Sequence, residues 1–283
     1  MQAADDWGRG GSTLVVAFEG WNDAGEAAST VVRGLREQFG LVPLVEVEPE
    51  DYFDYQFNRP VTTFDEKGDR VIAWPNVVLS GPVDGGDGVH VLLGTEPSRG
   101  WKTFAEEVLD ALSVAGVERI VFLGAMLADV PHTRPIAVST TSENVSVRER
   151  FALERSSYEG PIGIVTMLAD EAERAGIPTV SIWASVPHYV HNAPSPKATL
   201  ALIDRLEDFL ELTIDRGSLA EDAEAWERGI DELASDDDDM TAYIEQLEQA
   251  RDTVDSPEAS GDAIAEEFER YLRRRDGDQP PAP

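Results

Sequence analysis

The stretch Thr13-Leu14-Val15-Val16-Ala17-Phe18-Glu19-Gly20-Trp21-Asn22-Asp23-Ala24-Gly25-Glu26 decides the fold. Its first six residues are a continuous, largely apolar run, the pattern of a strand buried on both faces as in a parallel sheet. The polar residues after it include glycines that permit a tight turn, and Asn22 or Asp23 stands where a helix N-cap is needed. Residues 25–39 then read as a helix, so the stretch opens a βα unit.

Working outward, short strand patterns alternate with helical ones up to about residue 211. Leu41–Val47, Val89–Gly94, Arg119–Leu123, Ile136–Thr140 and Thr179–Ala184 read as strands. Trp101–Ala115, Pro161–Ala175 and Pro196–Leu212 read as helices, and Gly116 and Gly176 supply the C-cap signal of short αβ turns. Asp51–Pro60 is an aromatic loop in which Tyr52, Phe53, Tyr55 and Phe57 are candidate interface anchors or a satellite core. Val61–Phe64 and Arg70–Trp74 read as a hairpin that leaves the main sheet. The expected fold class is α/β, a mostly parallel or mixed sheet flanked by helices, with a C-terminal all-α helical extension. The expected domains are a disordered N-terminus (1–11), an α/β core (12–215), an acidic helical subdomain (216–274) and a disordered tail (275–283).

The character changes at Arg216, because the last 68 residues hold 21 Asp and Glu against 7 Arg. Apolar residues still recur there at helical spacing: Leu219, Ala223, Trp226, Ile230 and Leu233 form one stripe, Met240, Tyr243, Ile244 and Leu247 a second, and Ile264, Phe268, Tyr271 and Leu272 a third. Helices of about 15 residues are marginal alone in water, so these stripes are expected to fold back on the core or on a neighbouring subunit. Asp236–Asp239 precedes the second stripe, where carboxylates favour the positive end of a helix, and Arg273–Arg275 closes the third.

Composition excludes several functions. The chain has 283 residues, no cysteine and a formal charge of −32, so thiol catalysis, thiolate metal sites and disulfides are ruled out. That charge repels nucleic acid and anionic lipid, and no basic stripe offsets it. No apolar run reaches the roughly 18 residues of a membrane span, and the first eleven residues lack a secretory pattern, so a cytoplasmic location is expected. No phosphate-binding loop, nucleophile elbow, dinucleotide fingerprint or zinc-protease motif is present. His188 and His191 sit in a proline-rich loop and read as packing residues, not as metal ligands.

What remains is a set of polar residues placed just after the strands. Glu19, Trp21, Asn22 and Asp23 follow the first strand and Glu96 the one ending at 94. Asp129, His132 and Arg134 follow the strand at 119–123, and His188 follows the last. In a parallel sheet such loops emerge together at the carboxyl edge, where ligands bind. These nine residues are therefore the candidate crevice, with Arg134 able to pair with Glu19 or Glu96 or to hold an anion. The competing reading is that they satisfy one another and cap helices. At a tight turn, Trp21 is expected to be buried and Asp23 to be a cap.

Four of these segments resemble the proteasome-assembly-chaperone-2-like (PAC2) family in its actinobacterial form: Phe18–Ala27 with its Gly-Trp-Asn-Asp-Ala-Gly element, Leu93–Pro97, Gly124–Pro135 and Pro187–Val190. The resemblance spans about residues 12–212. It implies a phosphorylase/hydrolase-like α/β core related to purine nucleoside phosphorylases, no established activity, no cofactor and a tendency to form homo-oligomers, a trimer being the expected number. Family members that act as assembly chaperones bind proteasome α-subunits, in part through a C-terminal hydrophobic-Tyr-x tail. This chain ends Gln279-Pro280-Pro281-Ala282-Pro283 and departs from that pattern.

Two functions follow as expectations. The first is a non-catalytic homo-oligomer that holds a protein partner through sheet-edge loops or helical arms. The second is a hydrolase or phosphorylase-like enzyme acting on a nucleoside-like or ester substrate, with Glu19, Glu96, Asp129 or His132 as acid or base and Arg134 as anion clamp.

Overall fold

The computed structural model describes Trp7 and residues 10–254 apart from positions 66, 87 and 192. The third apolar stripe, the cluster at 273–275 and the tail at 275–283 lie outside the described residues, as does most of the segment 1–11. Trp7, within that segment, is buried edge-on against Phe151 and Phe209.

Strand β1 (Ser12–Glu19) lies at the centre of a seven-stranded sheet. It runs parallel to β6 (Val89–Thr95) on one side and to β7 (Val117–Ala128) on the other, and β7 runs parallel to β9 (Thr179–Pro187). Antiparallel strands finish both edges. Beyond β6 come β5 (Val77–Gly81) and β2 (Val42–Glu46), and beyond β9 comes β8 (Val138–Thr141). The sheet is thus mixed, with a parallel centre. The strand at 77–81 carries no alternation and was not foreseen; it is fixed by its two neighbours, and at Gly94 a Cβ would fall 2.1 Å from the Asn76 carbonyl oxygen, so β5 can close on β6 only over a glycine.

Alternation along β1 divides the core. Val15 and Ala17 face helices α1 (Ala27–Gln38) and α6 (Pro196–Leu210), whereas Leu14, Val16 and Phe18 face α3 (Trp101–Val114) and α5 (Ile164–Arg174). Both faces are therefore covered, which is why the run at 13–18 is apolar throughout.

The aromatic segment begins as a single helical turn, α2 (Pro49–Tyr52). Tyr52 and Phe53 are buried with Phe104, so these two candidate anchors belong to the core of this chain, because their rings fill the space between α3 and the sheet. Tyr55 is half-buried against Trp74, and Phe57 is exposed. The expected hairpin forms as β3 (Val61–Phe64) and β4 (Arg70–Ala73), a separate two-stranded sheet. A short helix α4 (Val145–Phe151), capped by Asn144, was not foreseen.

Past α6 the chain forms α7 (Leu219–Ser235) and α8 (Asp238–Val254). Helix α7 buries Ala223 and Ile230 and packs along α6, while Leu233, counted in its apolar stripe, is exposed. Asp237 accepts from the N–H groups of Asp239 and Met240, so the acidic run caps α8.

A carboxyl-edge cleft and its helical cover

The turn after β1 is built by its own polar side chains. Asp23 Oδ1 accepts from the N–H of Ala28 at 2.8 Å and of Ser29 at 3.1 Å, closing the first turn of α1. Its carboxyl is buried, and burial pushes its pKa up in spite of these donors and Arg33. The Asn22 carbonyl accepts from Ala125 N–H at 2.8 Å, tying the turn to β7. Asn22 Nδ2 donates to Glu96 Oε1 at 3.0 Å, and the same oxygen accepts from Ile164 N–H at 2.8 Å, so Glu96 caps α5 across the sheet edge. Gly163 is required beside them, since a Cβ there would stand 2.4 Å from Asn22 Oδ1. Glu19 pairs with Arg33 at 2.5 Å on the surface.

Trp21 corrects the expectation. It is 66 % exposed, because the turn spends Asn22 and Asp23 inward and leaves the side chain before them pointing out.

That tryptophan stands at the mouth of a cleft of about 980 Å³ that runs from the carboxyl ends of β1 and β7 across one face of β8 and β9. Trp21, Met126, Leu127, Tyr158, Ile162 and Trp183 provide its apolar lining, and Ser139, Thr141 and Ser181 a polar stripe. Trp183 lies flat over Gly124, where a Cβ would come within 2.5 Å of the indole. Tyr158 donates its hydroxyl to the Pro161 carbonyl at 2.9 Å, and Arg155 pairs with Glu143 at 2.5 Å. The cleft has the size and apolar character of a binding site, and of the nine predicted residues only Trp21 and Asp23 line it.

Asp129, His132, Arg134 and His188 lie elsewhere, beneath α7 and α8. The Tyr189 hydroxyl accepts from His132 N–H at 2.7 Å and lies 2.9 Å from His132 Nδ1. The Asp231 carboxylate can only accept, so Nε2 donates to its Oδ1 at 3.0 Å. Burial pushes the Tyr189 hydroxyl up to about 12. The His132 carbonyl accepts from Lys197 Nζ at 2.6 Å, and Lys197 also pairs with Glu227 on α7. Arg134 grips both oxygens of Asp252 at 2.8 and 2.9 Å and holds that carboxyl below the usual range; Glu248 lies 3.3 Å away. Asp129 Oδ1 stands 3.5 Å from the Tyr243 hydroxyl and 3.3 Å from His188 Nδ1, the latter an approach off the hydrogen-bonding axis. Arg134 therefore meets neither Glu19 nor Glu96. Its partners are more than a hundred residues along the chain.

A model of the PAC2 family matches residues 17–234. The chain belongs to the PAC2 family. Among solved structures, a PAC2 family protein from Streptomyces avermitilis is 44 % identical with a TM-score of 0.74, over 82 % of this chain and 99 % of its own. A proteasome-assembly chaperone homologue from Mycobacterium tuberculosis is 42 % identical with a TM-score of 0.73, over the same shares. Pyrococcus furiosus PbaA, an archaeal homologue of proteasome-assembly chaperone, shares the fold at 17 % identity and a TM-score of 0.56, over 85 % of this chain and 95 % of its own. No curated protein matches.

The PAC2 match takes in the capped turn, the cleft and Asp231 on α7, and it stops one residue before α7 ends. Helix α8, with Tyr243, Glu248 and Asp252, lies beyond it. The residues of this PAC2 chain that sequence reading missed are Tyr158, Ile162 and Trp183 in the cleft, Tyr189 under the cover and Asp231 on α7. An aromatic at 183 within a buried strand was the one legible signal, since it demands a small residue opposite. Among the described residues no helix is long and apolar enough to cross a membrane, and no three His, Asp or Glu side chains gather as a metal site.

Proposed function

We propose that this PAC2 protein is a non-catalytic, homo-oligomeric cytoplasmic holder of a protein partner, and that a segment of the partner lies in the cleft at Trp21. One observation carries the reading: the acid–base groups at the carboxyl edge are already engaged, while the cleft beside them offers apolar and aromatic surface. Asp23 and Glu96 accept from backbone N–H groups, and His132 and Arg134 are bound to the cover helices. An exposed tryptophan beside Tyr158 and Ile162 is the kind of anchor that carries binding energy at protein interfaces. The name of the Mycobacterium tuberculosis relative, a proteasome-assembly chaperone homologue, favours a protein ligand. The enzyme alternative keeps one supporting feature, Asp23, a cleft carboxyl whose pKa is raised by burial.

Trp21→Ala paired with Ile162→Asp tests the reading. Both side chains are exposed, so each variant should melt within about 0.5 kcal/mol of the parent. A stoichiometric protein that co-purifies with the parent from native extract should be lost from both. A partner retained by both variants, or turnover of a nucleoside or ester that Asp23→Asn abolishes, would overturn it.

A further inference from the structure

The β3–β4 hairpin has no interior. All eight of its strand residues are exposed, and among the described residues β3 and β4 pair only with each other. Cross-strand register puts Val61, Thr63, Val71 and Ala73 on one face, and Thr62, Phe64, Arg70 and Ile72 on the other. A hairpin with one side toward solvent alternates apolar with charged residues, whereas here each face is apolar or threonine with Arg70 the single charge. An isolated two-stranded hairpin is marginal in water, and three or more strands or a packed face are needed for stability. Trp74, 46 % exposed with its ring edge-on to Tyr55, and Phe57, 83 % exposed, extend the bare surface at the hairpin's base.

We infer that this hairpin, with Phe57 and Trp74, is the surface through which a second copy of the chain binds, most of it becoming buried in the contact. The inference rests on the homo-oligomeric part of the function proposed above and assigns its interface. Area supports it. Summed over both faces and the base at the exposures of Phe57, Val61, Phe64, Val71, Ile72 and Trp74, the apolar residues leave roughly 650 Å² in water, close to the ~800 Å² that each partner contributes to a stable interface when the partner encloses the hairpin. Charge supports it too. Residues 57–74 hold Arg59, Lys67 and Arg70 against Asp65, Glu66 and Asp69, a balanced segment in a chain of net charge −32. Two copies of so acidic a chain approach with least repulsion through a neutral patch, whereas a basic foreign partner would be drawn to the acidic faces instead. Among the described residues each strand also has an outer edge with no strand beside it, which a second chain can extend.

The absence of cysteine makes the test specific, because a thiol introduced at Thr62 is the only one in the chain. Labelled there with a polarity-sensitive dye, the protein should show blue-shifted emission at micromolar concentration and a red shift on dilution, in step with a fall in mass toward 30.9 kDa by light scattering. A second variant, Phe64→Ser with Ile72→Ser, should have the monomer mass at concentrations where the parent is an oligomer, with an unchanged circular dichroism spectrum. An oligomer whose label stays water-exposed, or whose mass survives the double substitution, overturns this interface and leaves the oligomer standing. A parent of 30.9 kDa at every concentration overturns the interface and the oligomeric half of the proposed function together, while partner capture in the cleft remains separately measurable.

Discussion

Asp23 is the residue on which the turn after β1 depends. Its Oδ1 satisfies two N–H groups that begin α1, so Asp23→Ala should cost about 1–2 kcal/mol. The charge is a separate matter from the cap. Burial raises the folded-state pKa above the ordinary 3.8, so the stability linked to this proton is fully present below that value and is lost as pH rises through the folded pKa. Asp23→Asn keeps an acceptor at Oδ1 and discards the titration. It should therefore melt close to the parent at neutral pH and lack the parent's loss of stability just above pH 3.8. Denaturant midpoints between pH 3 and 7 decide this, and an Asn variant as damaged as Ala at pH 7 would show that the charge itself is needed. Trp21, in the same turn, does the opposite work: its neighbours are fixed inward and it is left for contact.

Among the elements, α7 and α8 are held to the core by a mixture of apolar and polar contacts, each weak alone. Ala223 and Ile230 are buried, but α7 also bonds Asp231 to the fully buried His132, whose ring stands edge-on to Trp226. Removing the His132 ring takes away its contacts with the Tyr189 hydroxyl and Asp231, although the backbone N–H at 132 still serves the hydroxyl, a loss of about 1–3 kcal/mol. His132→Ala should therefore accelerate tryptic cleavage at Arg228, on the same helix. If the core destabilises while Arg228 stays as protected as in the parent, His132 supports the loop at 129–135 and not the docking of α7. The cover also explains why the loops at 129–134 and 188 take no part in the cleft: helices closing over them have used their hydrogen-bonding groups.

At the scale of the molecule, charge and architecture pull against each other. A net charge of −32 on a compact chain is self-repulsive, and the tail helices concentrate part of it on one side of the sheet. Screening should stabilise the fold, so the melting midpoint should rise as salt goes from about 10 mM to about 150 mM, where the screening length falls from about 30 to 8 Å. A midpoint that falls would mean that ion pairs such as Arg134 with Asp252 outweigh the repulsion. Against that acidity the hairpin segment stands out as a charge-balanced surface for contact.

The sequence by itself determined the buried centre of the sheet, because a strand covered on both faces must be apolar at every position, and Thr13–Phe18, Val89–Gly94 and Arg119–Leu123 largely meet that requirement. It also determined the family and the Asp23 cap, since a cap links residues five and six apart. The hairpin was legible for the same local reason. Tertiary structure alone decided that Trp21 is exposed, that Tyr52 and Phe53 are core, and that β5 joins the sheet. It alone split the nine expected crevice residues into a capped turn, a cleft lining and a set of contacts with α7 and α8 in which His132 is buried. Periodicity reports which face of an element is buried and not what buries it, and the partners named for Glu96, His132 and Arg134 lie 57 to 118 residues away, where no local pattern reaches.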